Sequence, residues 1–184
     1  GALTISIFLK PPGVIPLGGS TTICCSCQRD SGTFVLLKNG HRVHTSELRS
    51  SRAEFTISNA TREDTGPYSC HYLEGDTVLA RSETVEVQVE EFFLPTPVLS
   101  VLPGSDVAVG EDVVFYCTIA EPEALCYLYL EGRVGPIEFL WNEPDYNLSR
   151  VHKGNEGLYS CQCFTRNVSI KWSAVSKTLN LVVR

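Results

Sequence analysis

Eight cysteines in 184 residues are the main reactive inventory of this chain. They fall at positions 24, 25, 27, 70, 117, 126, 161 and 163. Thiols at such density can bridge, bind metal or act as nucleophiles. A zinc site needs ligands spaced roughly as C-x2–4-C with a matching second pair. The clusters here are Cys-Cys-x-Cys and Cys-x-Cys, and His41, His44, His71 and His152 supply no H-x3–5-H partner. We therefore expect no metal and no cofactor. Catalytic patterns are missing too: no G-x-S-x-G elbow, no phosphate-cradling glycine loop and no glycosidase-like carboxylate pair. Gly13, Gly18, Gly19, Gly40, Gly104 and Gly110 sit at turns, while Glu121, Glu123, Glu143 and Asp145 read as a solvated acidic surface. Function has to be argued from a site, none assembles, and an enzyme is not expected. Bridging remains, and it implies an oxidising compartment. Three N-x-Ser/Thr sequons, at Asn59, Asn147 and Asn167, agree with passage through the secretory route.

The elements that must position these cysteines show in a repeat. Asp64-Thr65-Gly66-Pro67-Tyr68-Ser69-Cys70 recurs 91 residues later as Asn155-Glu156-Gly157-Leu158-Tyr159-Ser160-Cys161. Cys25 precedes Cys70 by 45 positions and Cys117 precedes Cys161 by 44. A Gly, a Tyr two residues on and a Cys two later form the corner of an immunoglobulin sandwich, where the phenol bonds to upstream backbone and the Cys crosses the core. Two such units of about ninety residues fit the chain length. The expectation is an all-β protein of two tandem immunoglobulin-like (C2-type) β-sandwich domains joined at an elbow, spanning 1–90 and 91–184, with Cys25–Cys70 and Cys117–Cys161 bridges.

Strand signals follow this plan. Leu3, Ile5 and Ile7 alternate before Pro11-Pro12-Gly13 and Pro16, as in an edge strand that breaks and changes sheets. Residues 21–27 and 33–38 read as the next strands, the second ended by Asn39-Gly40, a strong turn signal. Phe55 and Ile57 mark a short strand, and residues 85–89 alternate cleanly. Residues 113–117, 126–130 and 178–183 repeat the scheme, and no useful helix period appears. Between the halves, Phe92, Phe93 and Leu94 are too apolar for a solvated tether and are expected to be partly buried at the elbow, or to begin the next strand.

The formal net charge is −6, with 8 basic and 9 acidic residues over 1–89 but 7 and 12 over 90–184. A nucleic-acid binder would need a Lys/Arg face, so none is expected as a partner. No apolar run approaches the roughly 20 residues of a membrane helix. The start is unlike a signal peptide and the chain stops after its last strand-like run, as expected of a trimmed mature ectodomain.

Antibody-type domains carry a buried Trp on the third strand. Here that strand reads Phe34-Val35-Leu36-Leu37-Lys38-Asn39-Gly40, and in the second half Cys126-Tyr127-Leu128-Tyr129-Leu130-Glu131-Gly132. With Pro97-Val98-Leu99-Ser100-Val101-Leu102-Pro103-Gly104 and Trp172-Ser173-Ala174-Val175-Ser176, the chain resembles the leukocyte immunoglobulin-like receptors, a group with the killer-cell receptors, glycoprotein VI, the IgA Fc receptor and the bird immunoglobulin-like receptors. Departures are Val78-Leu79-Ala80-Arg81-Ser82 where a Trp-Ser motif should fall, and Asn155 in place of the corner Asp. The resemblance implies the ectodomain of an immune receptor at the plasma membrane. Its ligand would be MHC class I, an immunoglobulin Fc region or collagen, and a transmembrane adaptor could pair with the receptor outside this stretch. The alternative is a secreted or adhesive module of the same fold without a signalling role; sequence beyond Arg184 would separate the two.

Cys163 shares the inward phase of Cys161, and Cys126 opens the neighbouring strand; the first half holds Phe34 and Tyr72 at those places. We expect a Cys126–Cys163 bridge, with two buried thiols as the other solution. Cys27 is expected to be a buried thiol and Cys24 to face outward. Loops are where binding residues collect on rigid scaffolds. The elbow stretches 59–66 and 164–171 contain the sequons at Asn59 and Asn167, which directs attention to 38–49 with Lys38, Arg42 and Arg49 as ligand-binding candidates. An ordinary solvated loop would carry the same bases.

Overall fold

The computed structural model describes residues 2–47, 51–140 and 145–184. The chain forms two compact units, Gly1–Glu90 with Gly132–Gly135, and Glu91–Glu131 with Pro136–Arg184.

In unit 1 the strands are β1 (Ser6–Lys10), β2 (Ile15–Pro16), β3 (Thr21–Ser26), β4 (Thr33–Lys38), β5 (His41–Glu47), β6 (Arg52–Ile57), β7 (Gly66–Glu74), β8 (Thr77–Arg81), β9 (Val85–Val87) and β10 (Val89–Glu90). One sheet runs β1-β3-β6; the other runs β5-β4-β7-β8, with β9 also on β7. The chain leaves β1 at Lys10-Pro11-Pro12, and β2 then pairs in parallel with β10. Prolines cannot donate to a ladder, so the edge strand breaks there and resumes as β2 beside β10. Alternation sends Ile7, Ile23, Cys25, Phe34, Leu36, Phe55, Tyr68, Cys70, Tyr72, Val85 and Val87 into one core. Asn39 and Gly40, at φ 53° and 80°, make the tight hairpin between β4 and β5. Gly32 is needed for another reason: a Cβ there would stand 2.5 Å from the Tyr72 ring.

Unit 2 repeats the scheme with β11 (Phe92–Leu94), β12 (Val98–Leu102), β13 (Asp106–Val107), β14 (Val113–Thr118), β15 (Leu125–Leu130), β16 (Glu138–Leu140), β17 (Asp145–Leu148), β18 (Gly157–Thr165), β19 (Lys171–Ser173) and β20 (Leu179–Val183). One sheet is β12-β14-β17 and the other β11-β19-β18-β15-β16, with β20 joining β18 to β13. Val113, Phe115, Cys117, Leu128, Tyr159, Cys161, Leu181 and Val183 fill its core. Phe92 and Leu94 are half-buried in β11, which runs beside β19, while Phe93 is 65% exposed.

Each unit carries a bridge across its sandwich, Cys25–Cys70 with Cα atoms 6.5 Å apart and Cys117–Cys161 at 6.4 Å. The corners close as hydroxyl-to-carbonyl bonds: Tyr68 Oη donates to Asp64 O at 2.8 Å and Tyr159 Oη to Asn155 O at 2.5 Å. Asn155 serves where the first unit has Asp64, because either side-chain oxygen accepts the backbone N–H three residues upstream. Asp64 Oδ2 takes Thr61 N–H, and Asn155 Oδ1 takes His152 N–H, both at 2.9 Å.

Candidate ligand-binding face

The third bridge fixes a register. Cys126 on β15 lies directly opposite Cys163 on β18, and the two are bonded with Cα atoms 4.0 Å apart. In unit 1 the same cross-strand place is held by Phe34 and Tyr72, whose rings meet edge-to-face at 5.6 Å.

The two remaining cysteines differ from expectation in burial. Cys24 takes the outward phase of β3, flanked by Phe8 and Glu54, yet it is 6% exposed: the neighbouring strands cover it. Cys27 touches the core but is half-buried, because β3 ends at Ser26 and the pleat no longer fixes its side. Its Sγ lies 3.8 Å from Arg29 O.

The basic candidates separate. Lys38 is in phase with Leu36 and Phe34; its ammonium donates to Glu63 O and lies 5.8 Å from the Tyr68 ring centroid, so it serves the corner. Arg42 lies opposite Leu37, one residue along β4, so the pleat puts it on the other face. Arg49 lies outside the described residues. In place of that trio, the outer face of the β5-β4-β7-β8 sheet gathers Arg42 with His71 and Arg81. Across the strands the register reads Thr45, Val35, His71, Arg81, and beside it Arg42, Leu37, Ser69. Beneath lies a small apolar floor, Val35 at 1% exposure, Leu37 at 6% and Leu73 at 5%, with Val78 against it.

Electrostatics confirm the grouping. Burial first, and then the guanidiniums of Arg81 and Arg42, hold the His71 imidazole below its ordinary value. Among the described residues neither Arg42 nor Arg81 is in an ion pair, whereas Arg29, Arg62 and Arg184 each are. Two guanidiniums and an imidazole over an apolar floor can accept carboxylates by paired N–H bonds while apolar side chains fill the space between. His71 and Arg81 lie on strands β7 and β8 and not in the loops where binding residues are expected to collect. The signal was available: His71 follows a core Cys, so the pleat must send it outward.

The sequons are exposed: Asn59 with φ 51°, Asn147 on the outer strand β17, and Asn167 in the β18–β19 loop, where its amide bonds to the Glu123 carboxylate. The sulfurs of Cys117, Cys126 and Cys163 lie within 4.8 Å of one another, and all three are committed to disulfides. No helix among the described residues is long and apolar enough to cross a membrane.

Serine hydroxyls form a further device. Ser176 Oγ accepts Cys161 N–H at 2.9 Å and Ser173 Oγ accepts Cys163 N–H at 3.0 Å, so the Trp-Ser motif caps backbone that β20 does not reach. In unit 1 Ser82 Oγ accepts Cys70 N–H at 2.8 Å, so the second serine of the motif keeps its role where Trp and the first serine are gone.

A family profile described as an immunoglobulin domain matches residues 5–72. Immunoglobulin superfamily member 1 of Mus musculus is 30% identical over 182 residues, 96% of this chain and 14% of the relative. Natural cytotoxicity triggering receptor 1 of Macaca fascicularis is 28% identical over 92% of this chain and 56% of its own length. Leukocyte immunoglobulin-like receptor subfamily B member 4A of Mus musculus is 27% identical over 72% of the chain and 42% of the relative. The chain thus spans a small part of the first relative and about half of the second. The chain folds as two immunoglobulin sandwiches and is similar, over most of its own length, to these immunoglobulin-superfamily proteins.

Proposed function

We propose that this chain is the ligand-binding ectodomain of an immune receptor at the cell surface, and that it binds a protein ligand through the outer sheet face of unit 1. The observation that carries this reading is the convergence of Arg42, His71 and Arg81 over Val35, Leu37 and Leu73. Glu47 shares this face by register, but Arg42 and Arg81 are in no ion pair among the described residues, and their guanidiniums supply both attraction to an acidic partner and a filter against basic ones. Carboxylate-bearing surfaces of MHC class I, immunoglobulin Fc or collagen would each satisfy the face. The relatives support a receptor, and the proposed N-glycans on Asn59, Asn147 and Asn167 lie on residues outside this face.

The test is binding of the glycosylated ectodomain to those three ligands, each immobilised. A saturable signal for one of them, reduced at least tenfold in an Arg42→Glu/Arg81→Glu variant that remains folded, is the expected result. Unchanged binding by the variant would show that this face does not bind the ligand, and silence on all three would exclude these ligand classes.

A further inference from the structure

The core of unit 2 holds two disulfides where unit 1 holds one, and they touch. Cys117 Sγ of one bridge lies 3.7 Å from Cys163 Sγ of the other, with no side chain to separate them. Cys161 and Cys163 sit two residues apart on the same face of β18, so both point at β14 and β15. Of the four cysteines Cys126 is the most accessible, at 4% exposure against 1% or less for Cys117, Cys161 and Cys163. It lies at the start of β15, paired with the end of β18 that leads into the loop carrying Asn167.

We propose that these four sulfurs are a thiol–disulfide exchange site, in which unit 2 can take up two electrons and keep its sandwich tethered by shifting the remaining bridge from Cys117–Cys161 to Cys117–Cys163. The co-reactant is a dithiol reductant. Its thiolate attacks Cys126 Sγ, forming a mixed disulfide and expelling Cys163 as a thiolate. The second thiol of the reductant then closes on the first and releases Cys126, which is protonated; the reductant leaves oxidised as its own disulfide. The Cys163 thiolate attacks Cys117 Sγ, the Cys117–Cys161 bond breaks, and the electron pair leaves on Cys161, which takes up a proton. Two electrons and two protons have entered, one bridge remains and two thiols, Cys126 and Cys161, are left. Exchange proceeds through thiolates, so its rate climbs with pH.

What the shift changes is local. The bond lost is the staple between β15 and β18 at the base of the Asn167 loop, while a bond between the two sheets survives, moved two residues along β18. Unit 1 offers an internal contrast, since Phe34 and Tyr72 occupy the places of Cys126 and Cys163.

The experiment uses the whole 184-residue chain under native conditions with limiting dithiothreitol, followed by rapid alkylation and peptide mapping. Species that retain one bridge in unit 2 are expected to include Cys117–Cys163, with Cys126 and Cys161 alkylated, beside Cys117–Cys161. Finding only Cys117–Cys161, or loss of both bridges together, overturns the proposal. A Cys126→Ala variant reaches the same state without reductant. It is expected to contain both pairings, and a variant with Cys163 quantitatively alkylated and only Cys117–Cys161 intact overturns the proposal equally.

Discussion

At the residue scale, one contact recurs in two chemical forms. The residue before the corner glycine catches a backbone N–H of the last strand: Thr65 Oγ1 takes Val89 N–H at 3.2 Å, and Glu156 Oε1 takes Val183 N–H at 2.9 Å. Glu156 also accepts from Lys153 at 3.2 Å. The Val183 N–H bond first, and Lys153 next, hold the Glu156 carboxyl below the usual carboxylate range. A depressed carboxylate adds stability that is present above its unfolded value, about 4.3, and is lost as pH falls through the folded one. Glu156→Gln should therefore lower the melting temperature at pH 7, and the difference from the parent chain should shrink steadily as pH drops below about 4. Thermal unfolding across pH measures it; a constant difference would show that the charge is not what matters. His71 follows the opposite logic. Its proton is disfavoured first by burial and then by the guanidiniums of Arg81 and Arg42, and a docked carboxylate offsets the field of those guanidiniums. Affinity for an acidic ligand should rise as pH falls from neutral through the His71 value, and His71→Ala should flatten the profile. An unaltered profile in that variant would detach His71 from binding.

At the element scale, β7 and β18 are held by hydroxyls as well as by their neighbouring strands. Cys161 is fully buried, and its N–H has Ser176 Oγ as partner. Ser176→Ala strands that donor, at a cost of about 1–3 kcal/mol. Ser82→Ala should act in the same direction in unit 1 through Cys70 N–H, measured by denaturant midpoint. A neutral result at Ser176 would mean that water or β20 replaces the hydroxyl. Much of this layer was legible in the sequence. The Tyr-x-Cys repeat, the proline break in the first strand and the Asn39-Gly40 hairpin rest on local stereochemistry that one sequence displays. The Cys126–Cys163 register could be read by laying one repeat over the other. Burial of Cys24 could not, because its cover comes from Phe8 and Glu54 on strands distant in sequence. The position of Cys27 failed for a local reason, the end of β3 at Ser26, and strand ends are poorly marked by composition.

At the scale of the whole molecule, charge is divided unevenly. The formal charge of −6 resides mostly in the second half, while the first half is close to balanced and carries the cationic face. Lys38 and Arg42 are four residues apart and looked like one surface, yet the alternating pleat sends them to opposite sides. Arg42, His71 and Arg81 are separated by up to 39 positions and become neighbours only when β5, β4, β7 and β8 line up. A cationic face works by long-range attraction screened over roughly 8 Å at physiological salt, so raising ionic strength should weaken binding mainly through slower association. The most direct measurement is the association rate of the glycosylated ectodomain with its immobilised ligand across a salt series, for the parent chain and for Arg42→Glu/Arg81→Glu. A cationic binding face requires a rate that falls steeply with salt in the parent and is low and nearly salt-independent in the variant. Equal rates and equal salt dependence in the two proteins would contradict it.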